Sequence, residues 1–272
     1  MTWRADLQNQ HHDQASGLRR LFAKSETPLL AFTSSQQDAG RHLLHVSDRV
    51  QVLRQFAARM TSSGGSVAII DEHPAPGSIA RSYGAVGGRD LKQVLRGDCT
   101  LDKAIQMVAQ HTGIIAASRL AGTEFSTADD ISLAGNLAVL RHRHDCILID
   151  CVHRSARVLS PLACCADQAI MIVPADEELT ASYALIKRIH RERGALPISV
   201  VVIRALDSNA ARTTFTRLHD VTRAHLGLVL EYGGAMLSGR ESHQRRRTAP
   251  GRGRKGHVDG MAPHSGLADS MV

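Results

Sequence analysis

Leu29-Leu30-Ala31-Phe32-Thr33-Ser34-Ser35-Gln36-Gln37-Asp38-Ala39-Gly40-Arg41-His42 is the stretch that decides the fold. The apolar run Leu29–Phe32 leads into a polar loop and then into a segment of helical character. That is where a nucleotide-binding α/β protein keeps its phosphate loop. Such a loop needs glycines so that backbone N–H groups can crowd the phosphates, a lysine for the terminal phosphates and a Ser/Thr hydroxyl for magnesium. Here Gly40 stands at a glycine position, Arg41 takes the lysine's place, His42 replaces the hydroxyl, and Asp38 would point a negative charge at the phosphates. Arg41 keeps a positive charge, but a planar guanidinium fork is no equivalent of an ammonium in a tight loop. The order of elements predicts a nucleotide-protein scaffold, and the loop predicts that nucleotide binding is weakened or lost.

Outward from this stretch, buried-type strands alternate with helical segments. Strands are predicted at Leu29–Phe32, Val67–Ile70, Gly113–Ala116, Cys146–Ile149, Ala169–Val173, Ile198–Ile203 and Leu228–Tyr232, most of them continuous apolar runs suited to a sheet covered on both faces. Helices are predicted over 48–61, 90–96, 101–110, 129–142, 177–193 and 208–226, the first with Val50, Leu53, Ala57 and Met60 in register. This alternation implies a doubly wound, mostly parallel α/β sheet with right-handed crossovers. Ligands of such sheets bind at the carboxyl ends of strands. Two predicted strands run into aspartates, Asp71 and Asp150. Paired strand-end aspartates are how a nucleotide-hydrolysing protein places magnesium and water; the alternative for Asp71 is a cap on the following helix.

The chain has 272 residues, 43% of them hydrophobic, enough for a substantial core. No apolar run approaches a transmembrane span and the first residues lack a signal-peptide core, so a cytoplasmic protein is expected. Five cysteines, odd in number and without a C-x-x-C pair, suggest buried thiols and no metal site. Arg141-His142-Arg143-His144 suits a helix C-terminus. The formal charge of +7 sits almost wholly between Arg240 and Lys255, where seven basic residues face one acid, Glu241. Three parts are therefore expected: an N-terminal helix and linker over 1–27, the α/β domain over 28–238, and a disordered basic tail over 239–272. Without interleaved aromatics the tail could bind nucleic acid only weakly and without sequence preference.

The N-terminal helix is read from Asp13 to Lys24. Asp13 is a good N-cap, Ala15, Leu18 and Phe22 fall on one face, and Lys24 suits the helix C-terminus. Twelve residues are marginal as an isolated helix, so this one needs a surface, its own domain's or a partner's.

Taken in order, several motifs resemble the flagellar-number regulator family FlhG, also called FleN or YlxH-like, of the MinD/ParA P-loop ATPases. They are Asp13-Gln14-Ala15-x-x-Leu18-Arg19, Asp90-Leu91-x-x-Val94-Leu95-x-Gly97, Ile147-Leu148-Ile149-Asp150, and Ala166-Asp167 leading into Ile170-Met171-Ile172-Val173-Pro174. Ser182-Tyr183-Ala184-Leu185-Ile186-Lys187, Phe215-x-Arg217-Leu218 and Leu226-Gly227-Leu228-x-Leu230-Glu231-Tyr232 complete the set. The resemblance implies a P-loop NTPase-like fold of MinD/ParA type and an activation helix that stimulates an FlhF-like GTPase. Partner-binding residues would be Asp13, Gln14, Ala15, Leu18, Arg19 and Phe22. It also implies a flagellar transcription regulator or switch component as further partners, ATP and Mg as cofactors if the site still works, and a place at the cell pole held through a partner. Gly40, Arg41, Asp71 and Asp150 are its relic nucleotide site.

The departures are in that site. The family loop, roughly T-S-G-K-G-G-V-G-K-T, loses both lysines, two glycines and its threonine on Thr33–His42, and a later register at Ser47-Asp48-Arg49-Val50 has no glycine. Ile203 stands where the family tends to have an adenine-contacting asparagine, the segment after Asp150 lacks the switch glycine, and the expected membrane helix beyond Tyr232 is replaced by arginine-rich sequence. The expected function is regulation by protein contact with little or no ATP hydrolysis. The alternatives are an active ATPase that dimerises on ATP and a non-specific nucleic-acid binder.

Overall fold

In a computed structural model the described residues are 27–34, 42–85, 87–120, 125–152 and 159–238, with side chains described from Val46 onward in the second segment. The predicted N-terminal helix, Gly40, Arg41 and the basic tail lie outside them.

Eight strands form one sheet: β1 Leu29–Ser34, β2 Val67–Asp71, β3 Gln106–Ala109, β4 Thr112–Ala116, β5 Cys146–Asp150, β6 Gln168–Pro174, β7 Ile198–Ala205 and β8 Glu231–Leu237. Their spatial order is β3-β4-β2-β5-β1-β6-β7-β8, parallel except for β3, which runs antiparallel on β4 at one edge. β2, β5 and β6 are buried along their whole length. That explains their continuous apolar sequence, since both faces of a central parallel strand are covered.

The helices are α1 His42–Ser62, α2 Ile79–Ser82, α3 Leu91–Leu95, α4 Leu101–Ala104, α5 Thr127–Arg143, α6 Pro161–Cys164, α7 Thr180–Arg193 and α8 Ser208–Leu226. Local chemistry sets several of their ends. Asp90 and Gln93 form a capping box on α3, Ser126 and Asp129 another on α5, and Asp207 caps α8 by accepting from the Ala210 N–H. α8 stops at Gly227, which takes the left-handed conformation.

The core has two parts, one on each face of the sheet. One face packs α3 to α8 against Ala31, Ile70, Ile149, Met171 and Val202. The other packs Val50, Leu53, Phe56 and Ala57 of α1 against Leu30, Phe32, Ile69 and Leu148, with Phe32 and Phe56 edge-to-face at 5.2 Å.

Three predicted elements need correction. The helix over 101–110 ends at Ala104, because Gln106–Ala109 alternates between half-buried and exposed residues and pairs as the edge strand β3. The last strand is not 228–232 but Glu231–Leu237, with Leu228-Val229-Leu230 spent on the connection from α8. α1 begins at His42, six residues before the predicted start.

Candidate functional site

The sheet brings the two strand-end aspartates together. β2 and β5 are neighbours with Asp71 in register with Asp150, and Phe32 of β1 is in register with Asp150 on the other side. Strand alternation puts both carboxyl groups on the α1 face, and both are buried.

Each carboxylate already has partners. Asp71 accepts from Ser78 Oγ at 2.5 Å, from the Ala80 N–H at 3.1 Å and from the His73 N–H at 3.0 Å. It thereby folds the loop after β2 back onto the strand end and holds the first turn of α2. Asp150 accepts from the Arg49 guanidinium, whose other nitrogen donates to the Gly77 carbonyl. Asp150 Oδ1 has no hydrogen-bond partner, and His73 Nε2 lies 3.5 Å from it, closer to the Cys151 carbonyl at 3.1 Å. Burial lifts both carboxyls above the ordinary range. For Asp71 the neighbouring Asp150 adds to the rise and the loop hydrogen bonds oppose it; for Asp150 the Arg49 guanidinium opposes it.

Glu72 points to the opposite face and is wholly buried. Its Oε2 accepts from the Val152 N–H at 3.0 Å, it bonds the Ser160 side chain, and Oε1 has no partner. Burial pushes its carboxyl up to about 8, so it is mainly protonated at neutral pH.

A second tie lies one residue before Arg49. Asp48 of α1 is 3.5 Å from Arg204 at the end of β7, and Arg204 also pairs with Asp176 at 3.2 Å and with Glu177. Arg204 adopts φ 57°, a strained setting for a residue with a side chain, which these three acids hold in place. Adjacent side chains of α1 thus clamp it to the carboxyl ends of β5 and β7, on either side of the β1 exit.

Of the residues named from sequence, Asp71 and Asp150 meet in this cluster, while Asp13, Gln14, Ala15, Leu18, Arg19, Phe22, Gly40 and Arg41 are outside the described residues. Sequence reading passed over Arg49, Glu72 and Arg204. Arg49 carried a signal: it sits four residues before Leu53, a charge on the apolar stripe of α1. Glu72 could be suspected as the next acid after a buried strand, but nothing local showed that Val152 and Ser160 would enclose it.

Magnesium does not fit the described residues as they stand. The Asp150 oxygen facing α1 is held by a guanidinium, Asp71 is committed to three loop donors, and no group of three metal-ligating residues occurs among the described residues. A separate cavity of about 630 Å³ lies between α1 and the segment that leads into α2, lined in part by Val50, Arg54, Ala58, Pro76 and Arg81. No helix of the described residues is long and apolar enough to cross a membrane.

The sheet order and the parallel strands with helices on both faces match the fold of MinD/ParA-type P-loop NTPases. No family profile and no curated protein matches the chain. Solved structures do. A plasmid partition protein from Borrelia burgdorferi is 17% identical, with 80% of this chain and 92% of that one covered at a TM-score of 0.56. The MinD cell division protein of Aquifex aeolicus is 14% identical over 82% and 87% at 0.56. An ATP complex of a Cyanothece McdA variant is 14% identical over 81% and 87% at 0.59.

Proposed function

We propose that this chain is a MinD/ParA-fold regulator that works by protein contact, with its N-terminal segment stimulating an FlhF-like GTPase. The observation that carries the first half is the Arg49–Asp150 pair: the carboxylate that a nucleotide-hydrolysing relative would turn toward magnesium is neutralised from within. A cation built into the fold does not come and go, so the strand ends stay set without ligand. The altered phosphate loop supports the same reading.

The second half rests on Asp13-Gln14-Ala15-x-x-Leu18-Arg19. In this reading Leu18 and Phe22 supply apolar docking, Arg19 meets an acidic or phosphate group, and Gln14 enters the partner's GTP site. A side-chain amide can accept from and donate to the same water, which is what orienting an attacking water requires.

A peptide of residues 1–25, added to the purified GTPase, tests this directly. Stimulated GTP hydrolysis that disappears with Gln14→Ala is the expected result; no stimulation, or equal stimulation by the variant, rejects the activator role. Calorimetry of the full chain against millimolar ATP and magnesium tests the loss of nucleotide. Micromolar binding that depends on Asp150 would reject the loss of nucleotide, and phosphate release with it would establish the ATPase reading instead.

A further inference from the structure

α5 is apolar on both of its faces. Leu133, Leu137 and Leu140 pack into the core, as a crossover helix leading to β5 must. The opposite face is exposed and carries Ala128, Ile131, Ala134, Gly135, Ala138 and Val139, with no charged residue between Asp130 and Arg141. The other long helices of this layer are built differently: α7 exposes Lys187 and Arg191, and α8 exposes Arg212, Arg217 and Arg223. A solvated helix face is ordinarily polar in that way. On α5 the two largest side chains of the outer face instead stand in the open, Ile131 at 70% and Val139 at 41% exposure. Nothing lies within 4 Å of the point where a Cβ on Gly135 would stand, so the middle of the face is bare.

We propose that this face of α5 docks on α5 of a second copy of the chain, the two helices running antiparallel about a two-fold axis beside Gly135. Two features select that occupant. First, the stripe matches itself when reversed: Ile131 and Val139 stand four residues to either side of Gly135, with small residues on the same face between them. Antiparallel pairing therefore sets each Ile131 beside Val139 of the partner subunit, and the small residues between them let the helix axes close to about 8–10 Å. An isologous interface must be self-complementary in this way, whereas a different protein imposes no such symmetry. Second, the charges at the two ends are opposite. Asp129 and Asp130 lie in the first turn, and Arg141, His142 and Arg143 in the last. Antiparallel pairing lays the acidic turn of each helix toward the basic turn of the other, while parallel pairing would set like against like. Beside the stripe, Arg96 lies near Asp129 and Asp102 pairs with Arg143, so the two ends are complementary there as well.

The size of the face sets the strength of the pairing. From Ala128 to Val139 the stripe is about 18 Å long and one helix wide. That places it in the small, transient class of interface, with micromolar rather than nanomolar association. Its position sets what pairing leaves alone. α5 covers the face of the sheet opposite to α1, whereas Asp71, Arg49 and the Asp150 carboxyl lie on the α1 face. Pairing through α5 therefore leaves the strand-end cluster untouched and needs no nucleotide. It also holds whether or not the chain stimulates a GTPase.

Sedimentation equilibrium of the full chain without nucleotide tests the proposal. A monomer–dimer equilibrium is expected, and Ile131→Asp should weaken it about tenfold or more. Because Ile131 is exposed, that variant should keep the parent's melting temperature. Val221→Asp, at an exposed apolar position on α8, should leave association unchanged. Cross-linking reads the register. Under mild oxidation Ile131→Cys mixed with Val139→Cys should give more disulfide-linked dimer than Ile131→Cys alone, whose two thiols would sit about 12 Å apart along the helices. The unaltered chain, with its own five cysteines, supplies the background. A monomer at every concentration overturns the proposal, whether the face stays bare or the chain's own termini cover it. So does a dimer that Ile131→Asp leaves intact, one that forms only with ATP, or a cross-link as strong in Ile131→Cys alone. GTP hydrolysis is not measured, so failure here leaves the peptide assay above to stand or fall by itself.

Discussion

Arg49 and Asp150 form a buried ion pair whose cost and benefit can be separated. Removing one partner strands the other charge in a low-dielectric interior, whereas replacing both with apolar groups removes the desolvation penalty as well. Arg49→Ala is therefore expected to lose about 3–5 kcal/mol in urea unfolding, while Arg49→Met with Asp150→Leu should stay within about 2 kcal/mol of the parent. Glu72 gives a prediction in pH. Its folded-state carboxyl is raised from 4.5 to about 8, so between those values the folded chain holds a proton that the unfolded chain has released. Raising the pH through that window then favours unfolding, and stability should fall from pH 5 to pH 8 by a few kcal/mol. Asp71 and Asp150 are shifted in the same direction. Glu72→Gln should accordingly flatten the slope without abolishing it, as read from urea midpoints across the window. An unchanged slope in the variant would mean that Glu72 is not the group responsible.

At the scale of elements, two glycines that look alike in sequence should respond oppositely. Gly227 ends α8 at φ 67°, so Gly227→Ala meets no neighbour but forces a side chain into the left-handed region, at a cost of about 1 kcal/mol. Gly135 lies inside α5 with open space where a Cβ would go, and Gly135→Ala should stabilise by about 0.5–1 kcal/mol through the lost entropy of the unfolded chain. Thermal melts of the two variants should move in opposite directions. The elements also show what could be read beforehand. Central strands announced themselves because burial on both faces demands an unbroken apolar run, as in Cys146–Ile149. The edges did not. Gln106-Met107-Val108-Ala109 has no such demand, and its pairing with β4 is a tertiary choice that overrides a locally helical pattern. β8 is displaced for a related reason: Leu228 and Leu230 are apolar because they pack as a connection, and Gly233 and Gly234 interrupt the strand that follows. The strand-end acids were visible because position in a parallel sheet gives them meaning; Arg49 stood out as a charge on an apolar stripe, but not as their partner, since a helix residue's target depends on how the helix crosses the sheet.

For the whole molecule, the central question is whether the fold still answers to nucleotide, and mass action makes that measurable. A ligand that binds only the folded state stabilises it by RT ln(1 + [L]/Kd), about 2.7 kcal/mol when the ligand is at 100 times its Kd. For a domain of this size that is a shift of about 5–10 °C, well outside the scatter of a melting curve. In the reading proposed above Arg49, held between Asp150 and Gly77, stands in for magnesium, so a nucleotide that used these strand ends would first have to break both contacts. The full chain is therefore expected to melt at the same temperature with and without 1 mM ATP and magnesium. Asp150→Asn gives the internal check. It leaves the neighbourhood's shape nearly unchanged but removes the charge that Arg49 answers, so it should lower the melting temperature equally in both conditions. A nucleotide-dependent rise in the parent that Asp150→Asn abolishes would instead place ATP at the strand ends, and would require Arg49 to leave its pocket when the ligand arrives.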